Sequence, residues 1–85
     1  MANRHAYNQP LLKWRFDQLK LKGETYRSIS ERSGVPQATL CDTINGTTRP
    51  FPETIIRTFA AVGLNTDYAF NHNLKRVRDF HLAVL

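Results

Sequence analysis

Cysteine is almost missing from this sequence. Cys41 stands alone, so no disulfide can form within the chain. A single thiol is compatible with a reducing compartment. Long apolar runs are missing as well. The N-terminus lacks the apolar stretch of a signal peptide, and no segment approaches the length of a membrane span. The expectation is a soluble, intracellular protein. No repeat, low-complexity segment or sustained period-two alternation is present, which excludes solenoids and argues against a sheet. Acid is scarce: seven Asp and Glu stand against twelve Lys and Arg. The three histidines, His5, His72 and His81, lack metal-ligand spacing. With no paired nucleophile and base, no phosphate-cradling glycine loop and no ligand cluster, the reading is no enzyme, no metal and no cofactor.

What is there is enough for one small domain. Hydrophobic residues make up 41% of 85, which supports a core and argues against global disorder. The net charge of +5 is uneven. Residues 1–50 carry eight basic and four acidic side chains, while residues 51–85 carry four and three. A basic first half points to an acidic partner surface, with nucleic acid the leading candidate.

The chain divides into three parts: a polar arm over 1–9, a helical domain over 10–70 and an amphipathic helical extension over 71–85. Pro10 suits the first turn of a helix. Leu12, Phe16 and Leu19 then make one apolar stripe that ends near Lys22-Gly23. Thr25 caps a second helix, which carries Ile29 inward and stops at Ser33-Gly34. Val35-Pro36 forms a turn into a third helix, seated by Leu40 and Ile44 and ended by Asn45-Gly46. Pro52 opens a fourth helix with Ile55, Ile56, Phe59 and Val62, closed by Gly63. Asn65 or Thr66 caps a fifth segment beginning at Asp67. The fold class is all-α, a compact five-helix domain with a C-terminal helical extension.

Two short helices joined by a turn of about three residues with a leading glycine are the signature of a helix-turn-helix. Ser30 is small enough for close helix crossing, Gly34 turns the backbone and Val35 plugs the corner. At about 100° per residue, the face opposite Leu40 and Ile44 holds Ala38, Asp42 and Asn45, with Thr39 and Cys41 at its borders and Gln37 at the tip. It is short and polar, the profile needed to enter a major groove about 12 Å wide.

The segment TYRSISERSGVPQATLCDTINGTTRP resembles the helix-turn-helix of the lambda-repressor-like, or Cro-type, family of bacterial and phage regulators. The following PFPETIIRTFAAVGLN is similar to that family's fourth helix and its glycine-terminated end. The resemblance covers about residues 12–70. It rests on Gly34-Val35, Leu40, Asn45-Gly46, Arg49-Pro50 and Glu53-Thr54 together. Three positions depart from it. The family usually has alanine at Ser30 and an apolar residue at Glu24, and glutamine is common at Tyr26, where it helps to clamp a phosphate.

The resemblance implies a sequence-specific double-stranded DNA-binding regulator, a Cro-like repressor acting by operator occupancy as a dimer. Its setting would be the cytoplasm of a bacterial host, at the nucleoid. Base-reading candidates are Gln37, Ala38, Cys41, Asp42 and Asn45. A glutamine amide at Gln37 matches adenine N6 and N7, and a carboxylate at Asp42 can accept from cytosine N4 or deter wrong sequences. Ala38 either touches a thymine methyl or leaves room. Cys41 reads as a space-filler more than a reactive thiol. Phosphate candidates are Tyr26, Arg27, Thr39, Thr47, Thr48 and Arg49, which hold register without reading sequence. Tyr26 either clamps through its hydroxyl or packs. Arg4 and His5 on the arm are candidates for a minor groove.

The second informative feature is the C-terminal stripe of Leu74, Val77, Phe80, His81 and Val84, at helical spacing. It either packs on its own core or pairs across a two-fold axis, the latter favoured because the family binds half-sites about 34 Å apart as dimers. Two other readings stand beside repression. One is an antitoxin-like module that binds a protein partner through this extension. The other is an interaction domain without DNA binding.

Overall fold

The computed structural model describes residues 6–85 and is all-α, with an isolated antiparallel bridge between Leu64 and Val84. The first helix, α1, spans Gln9–Leu21. Asn8 caps it by accepting from the Leu11 N–H, with Pro10 in the first turn. It buries Leu11, Leu12, Phe16 and Leu19. Thr25 caps α2, Tyr26–Ser33, in a reciprocal arrangement. Its hydroxyl accepts from the Ser28 N–H, and the Ser28 hydroxyl accepts from the Thr25 N–H. Ser28 also donates to Glu24 at 2.6 Å, which with Arg32 holds the Glu24 carboxyl below its ordinary value.

Gly34 ends α2 at φ 75°, in the left-handed region that a β-carbon disfavours. Val35 is buried and Pro36 leads into α3, Gln37–Asn45. The Ser30 hydroxyl donates to the Val35 carbonyl, so the small residue at the crossing also ties down the turn. Gly46 closes α3 at φ 74°, and a β-carbon there would come within 3.1 Å of the Gln9 side chain. After a loop, α4 runs over Pro52–Ala61 and buries Ile55, Thr58 and Phe59. Buried Thr43 and Thr58 satisfy their hydroxyls on the carbonyls of Thr39 and Thr54, one turn back. In the packing, α2 sits on α3 and α4, and α1 on α3. The core joins the four helices through Phe16, Ile29, Leu40, Ile44 and Phe59, all fully buried.

Two expectations are corrected. The polar arm does not extend to residue 9. Tyr7, Asn8 and Gln9 are part of the domain, and Asn8 is only 3% exposed. Arg4 and His5 lie outside the described residues. The fifth segment falls where expected, as a single 3-10 turn over Thr66–Tyr68 capped by Asn65.

The C-terminal stripe is the second correction, because it is not one helix. Residues 71–76 form turns and bends, and only Val77–Phe80 is α-helical (α5), followed by a 3-10 turn at His81–Ala83. Phe80 is buried in the chain's own core, its ring 5.5 Å from that of Trp14, and Leu74 and Val84 pack against the same core. His81 is exposed yet meets the edge of Trp14 at 4.9 Å, while Val77 stays 54% exposed. The physical reason lies in what α1–α4 leave uncovered. Trp14 on the outer side of α1 and the edge at Leu64 need a lid, and the tail supplies it. Asn65 donates to the Ala83 carbonyl at 2.7 Å and Leu85 to that of Gly63 at 2.9 Å. Those bonds require extended backbone at Val84, which a helix continued to the end would forbid.

Candidate nucleic-acid interface

Local chemistry sets the exposed face of α3. Leu40, Thr43 and Ile44 face the core, so Gln37, Ala38, Asp42 and Asn45 face outward, while Thr39 and Cys41 are half-buried at the borders. Pro36 offers no side-chain cap, so the first-turn N–H groups of α3 receive no bond of that kind. Groups of this type favour an anion or an acceptor-rich surface.

The candidates on this face differ in freedom. Gln37 and Ala38 stand exposed at the tip. The Asp42 carboxylate accepts from the Thr47 hydroxyl at 3.1 Å, and the Thr47 N–H donates to the Asp42 carbonyl at 3.0 Å. That pairing fixes the loop after α3 and ties up Thr47. The Asn45 amide is turned back on its own helix: its Nδ2 donates to the Cys41 carbonyl at 2.9 Å and to the Tyr26 hydroxyl at 3.2 Å. Asn45 thus bolts the end of α3 to the start of α2, and only its amide oxygen is left to read anything.

Tyr26 is half-buried and stacked on Phe16 with centroids 4.5 Å apart, so it packs and presents its hydroxyl at once. Arg27 pairs with Glu31 at 3.6 Å, but both are largely exposed, and a pair of that kind is worth little against a phosphate. Thr48 and Arg49 are exposed, and Arg49 makes no ion pair among the described residues.

Sequence reasoning missed four residues that shape this face. The Tyr7 hydroxyl donates to the Thr43 carbonyl at 2.6 Å, and the Gln9 amide to that of Ile44 at 2.7 Å. These bonds satisfy carbonyls in the last turn of α3 from outside the helix. Asn8 sits between them. Lys13 on α1 is paired with Asp17 at 2.9 Å, which holds its ammonium above the usual value, and it lies near enough to Tyr26 and Cys41 to feel both. No local signal marks Tyr7 or Gln9, because their partners are 36 and 35 residues away.

Burial pushes the Tyr7 phenol above its ordinary value of 10.0. Its folded pKa exceeds its unfolded one, so the contribution is complete below the unfolded value and lost as pH rises through the folded one. Replacing Tyr7 by Phe should lower stability by about 0.5–1.5 kcal/mol at neutral pH, for the lost hydrogen bond. The gap between parent and variant should close as pH passes 10, the ordinary value of the phenol. Urea unfolding at several pH values checks this, and a gap that stays constant contradicts it.

Compared with family models, with curated proteins and with solved structures, the chain matches none. Among the described residues, no group of three or more His, Cys, Asp or Glu is arranged to hold a metal ion, and no helix is long and apolar enough to cross a membrane.

Proposed function

We propose that the chain is a sequence-specific double-stranded DNA-binding regulator of transcription, a small Cro-type repressor that acts by covering its operator as a dimer. The observation that carries this reading is the outward face of α3. Gln37, Ala38 and Asp42 form a short polar ridge on a helix whose other side is seated in the core. Its N-terminal N–H groups have no side-chain cap, and Arg49 in the loop beyond makes no ion pair among the described residues. A ridge of that size fits a major groove, and a Gln at the tip can donate to and accept from one adenine. Arg49, Thr48 and the Tyr26 hydroxyl are the phosphate contacts. Asn45 and Thr47 support the ridge. For the dimer, the tail offers a second copy only what its own core leaves out: Val77, Leu82 and Leu85 are all more than half exposed.

Selection from random duplex DNA, followed by sequencing of the bound pool, tests the reading directly. A palindromic motif is expected. A single half-site would remove the dimer, and recovery of no motif would remove sequence-specific binding altogether. On the selected site, Gln37→Ala should cost about 1–3 kcal/mol and relax one base position. Arg49→Ala should instead weaken binding to all sequences alike and flatten the salt dependence.

A further inference from the structure

The cations of this protein sort into two groups. Lys13, Arg27, Arg32 and Arg57 each have a carboxylate partner. Arg15 donates to the Val62 carbonyl, and Lys20 lies over the Phe16 ring. Among the described residues, that leaves Lys22, Arg49, Lys75, Arg76 and Arg78 without a partner. Three of these five fall within four consecutive residues, all exposed, in a stretch from Asn71 to Arg78 that contains no acid.

The stretch is held in place by one buried side chain. Both donor bonds of the Asn8 amide go to it, to the Asn71 carbonyl at 2.8 Å and the Leu74 carbonyl at 3.0 Å. The amide oxygen accepts from Leu11, and the Asn8 N–H donates to the Ala69 carbonyl. The residues on either side of Asn8 are the two that bond the last turn of α3. Three consecutive residues therefore bridge the C-terminal end of α3 and the peptide that precedes Lys75. The peptide that leads into the basic stretch is thus tied to the last turn of α3 through these three residues. The walls of a groove about 12 Å wide are phosphate strands, so exposed cations on a peptide tied to the end of α3 have a phosphate strand beside them when α3 lies in the groove.

We propose that Lys75, Arg76 and Arg78 form a second phosphate-binding edge of the same DNA interface, beyond the helix-turn-helix. Asn8 positions it against the reading helix. The inference rests on the DNA-binding reading above. The edge contributes affinity and footprint but no sequence preference, because phosphates carry no sequence information directly.

The test is a triple variant, Lys75→Gln/Arg76→Gln/Arg78→Gln, compared with the parent on the selected duplex and on an unrelated one between about 50 and 200 mM salt. Each lost contact should reduce the slope of log K against log salt by about 0.9, so the full edge corresponds to a loss of roughly 2.7. Affinity should fall by the same factor on both duplexes, and the footprint should shorten at its edge. The melting temperature should not move, since all three side chains are exposed. A parent that binds specifically beside a variant with the same slope and footprint overturns the second edge and leaves the reading helix standing. A parent that binds no duplex overturns both.

Discussion

Replacing Phe80 by Ala should lower the stability of the whole domain by about 3–5 kcal/mol, the usual cost of truncating a buried aromatic. Phe80 is 4% exposed and its ring lies against that of Trp14 on α1. Small domains hold only about 5–15 kcal/mol in total, so a loss of this size is a large share. At about 4–8 °C per kcal/mol for a chain of this length, the melting temperature should fall by at least about 12 °C. Val77→Ala, at the start of the same short helix α5, is the internal control. Val77 is 54% exposed, and its truncation should stay within about 0.5 kcal/mol. If Phe80→Ala melts with the parent, the tail is not part of the core, and the stripe returns as a surface for a second copy or another protein.

Ala38→Glu should abolish specific DNA binding without harming the fold. Ala38 is exposed, one residue into α3, where a carboxylate faces the positive end of the helix dipole. On that ground alone the variant should be as stable as the parent or more so, by about 0.3–1 kcal/mol. In a groove walled by phosphates the same carboxylate is a like charge held close, which costs several kcal/mol. A loss of at least about 100-fold in affinity is expected, about 2.7 kcal/mol by the tenfold rule. Electrophoretic mobility shift gives the affinity and circular dichroism the stability. Binding retained within threefold would show that α3 is not the reading helix, whatever else the chain does with DNA.

The two substitutions separate two kinds of information. The inner positions of the helix pair were legible in the chain because each obeys a local rule. Thr25 begins a helix whose first turn needs an acceptor, and the Thr25–Ser28 exchange supplies it. Gly34 and Gly46 stand where φ is positive, at 75° and 74°. Leu40 and Ile44 fall on one face at 3.6 residues per turn, and both are fully buried. The outward face of α3 follows by subtraction, so Gln37, Ala38 and Asp42 were readable as exposed before any tertiary contact was known. Asn45 was readable as outward but not as engaged, because Tyr26, its partner, is 19 residues away.

The tail shows where local rules stop. Leu74, Val77, Phe80 and Val84 have the spacing of a helical stripe, yet only four residues there form an α-helix. Periodicity reports which residues would share a face if a helix formed. It does not report whether the backbone is needed for something else. Here the stretch at 71–76 is held by Asn8 and the last residues pair with the chain at Gly63–Asn65. Likewise the polar run at the N-terminus looks like a free arm, because nothing within it shows that Tyr7, Asn8 and Gln9 have partners 35 to 66 residues away.

The sequence by itself therefore determined the all-α class, the caps and glycine stops, the turn at Gly34–Pro36 and the polar outer face of α3. Each of these depends on neighbours within one or two helical turns. Only the tertiary structure decided that the tail covers Trp14, that Tyr7 and Gln9 clamp the end of α3, and that Asn8 between them holds the peptide before Lys75. Those outcomes depend on which carbonyls and apolar faces remain unsatisfied once the four helices have packed, a quantity no local window contains.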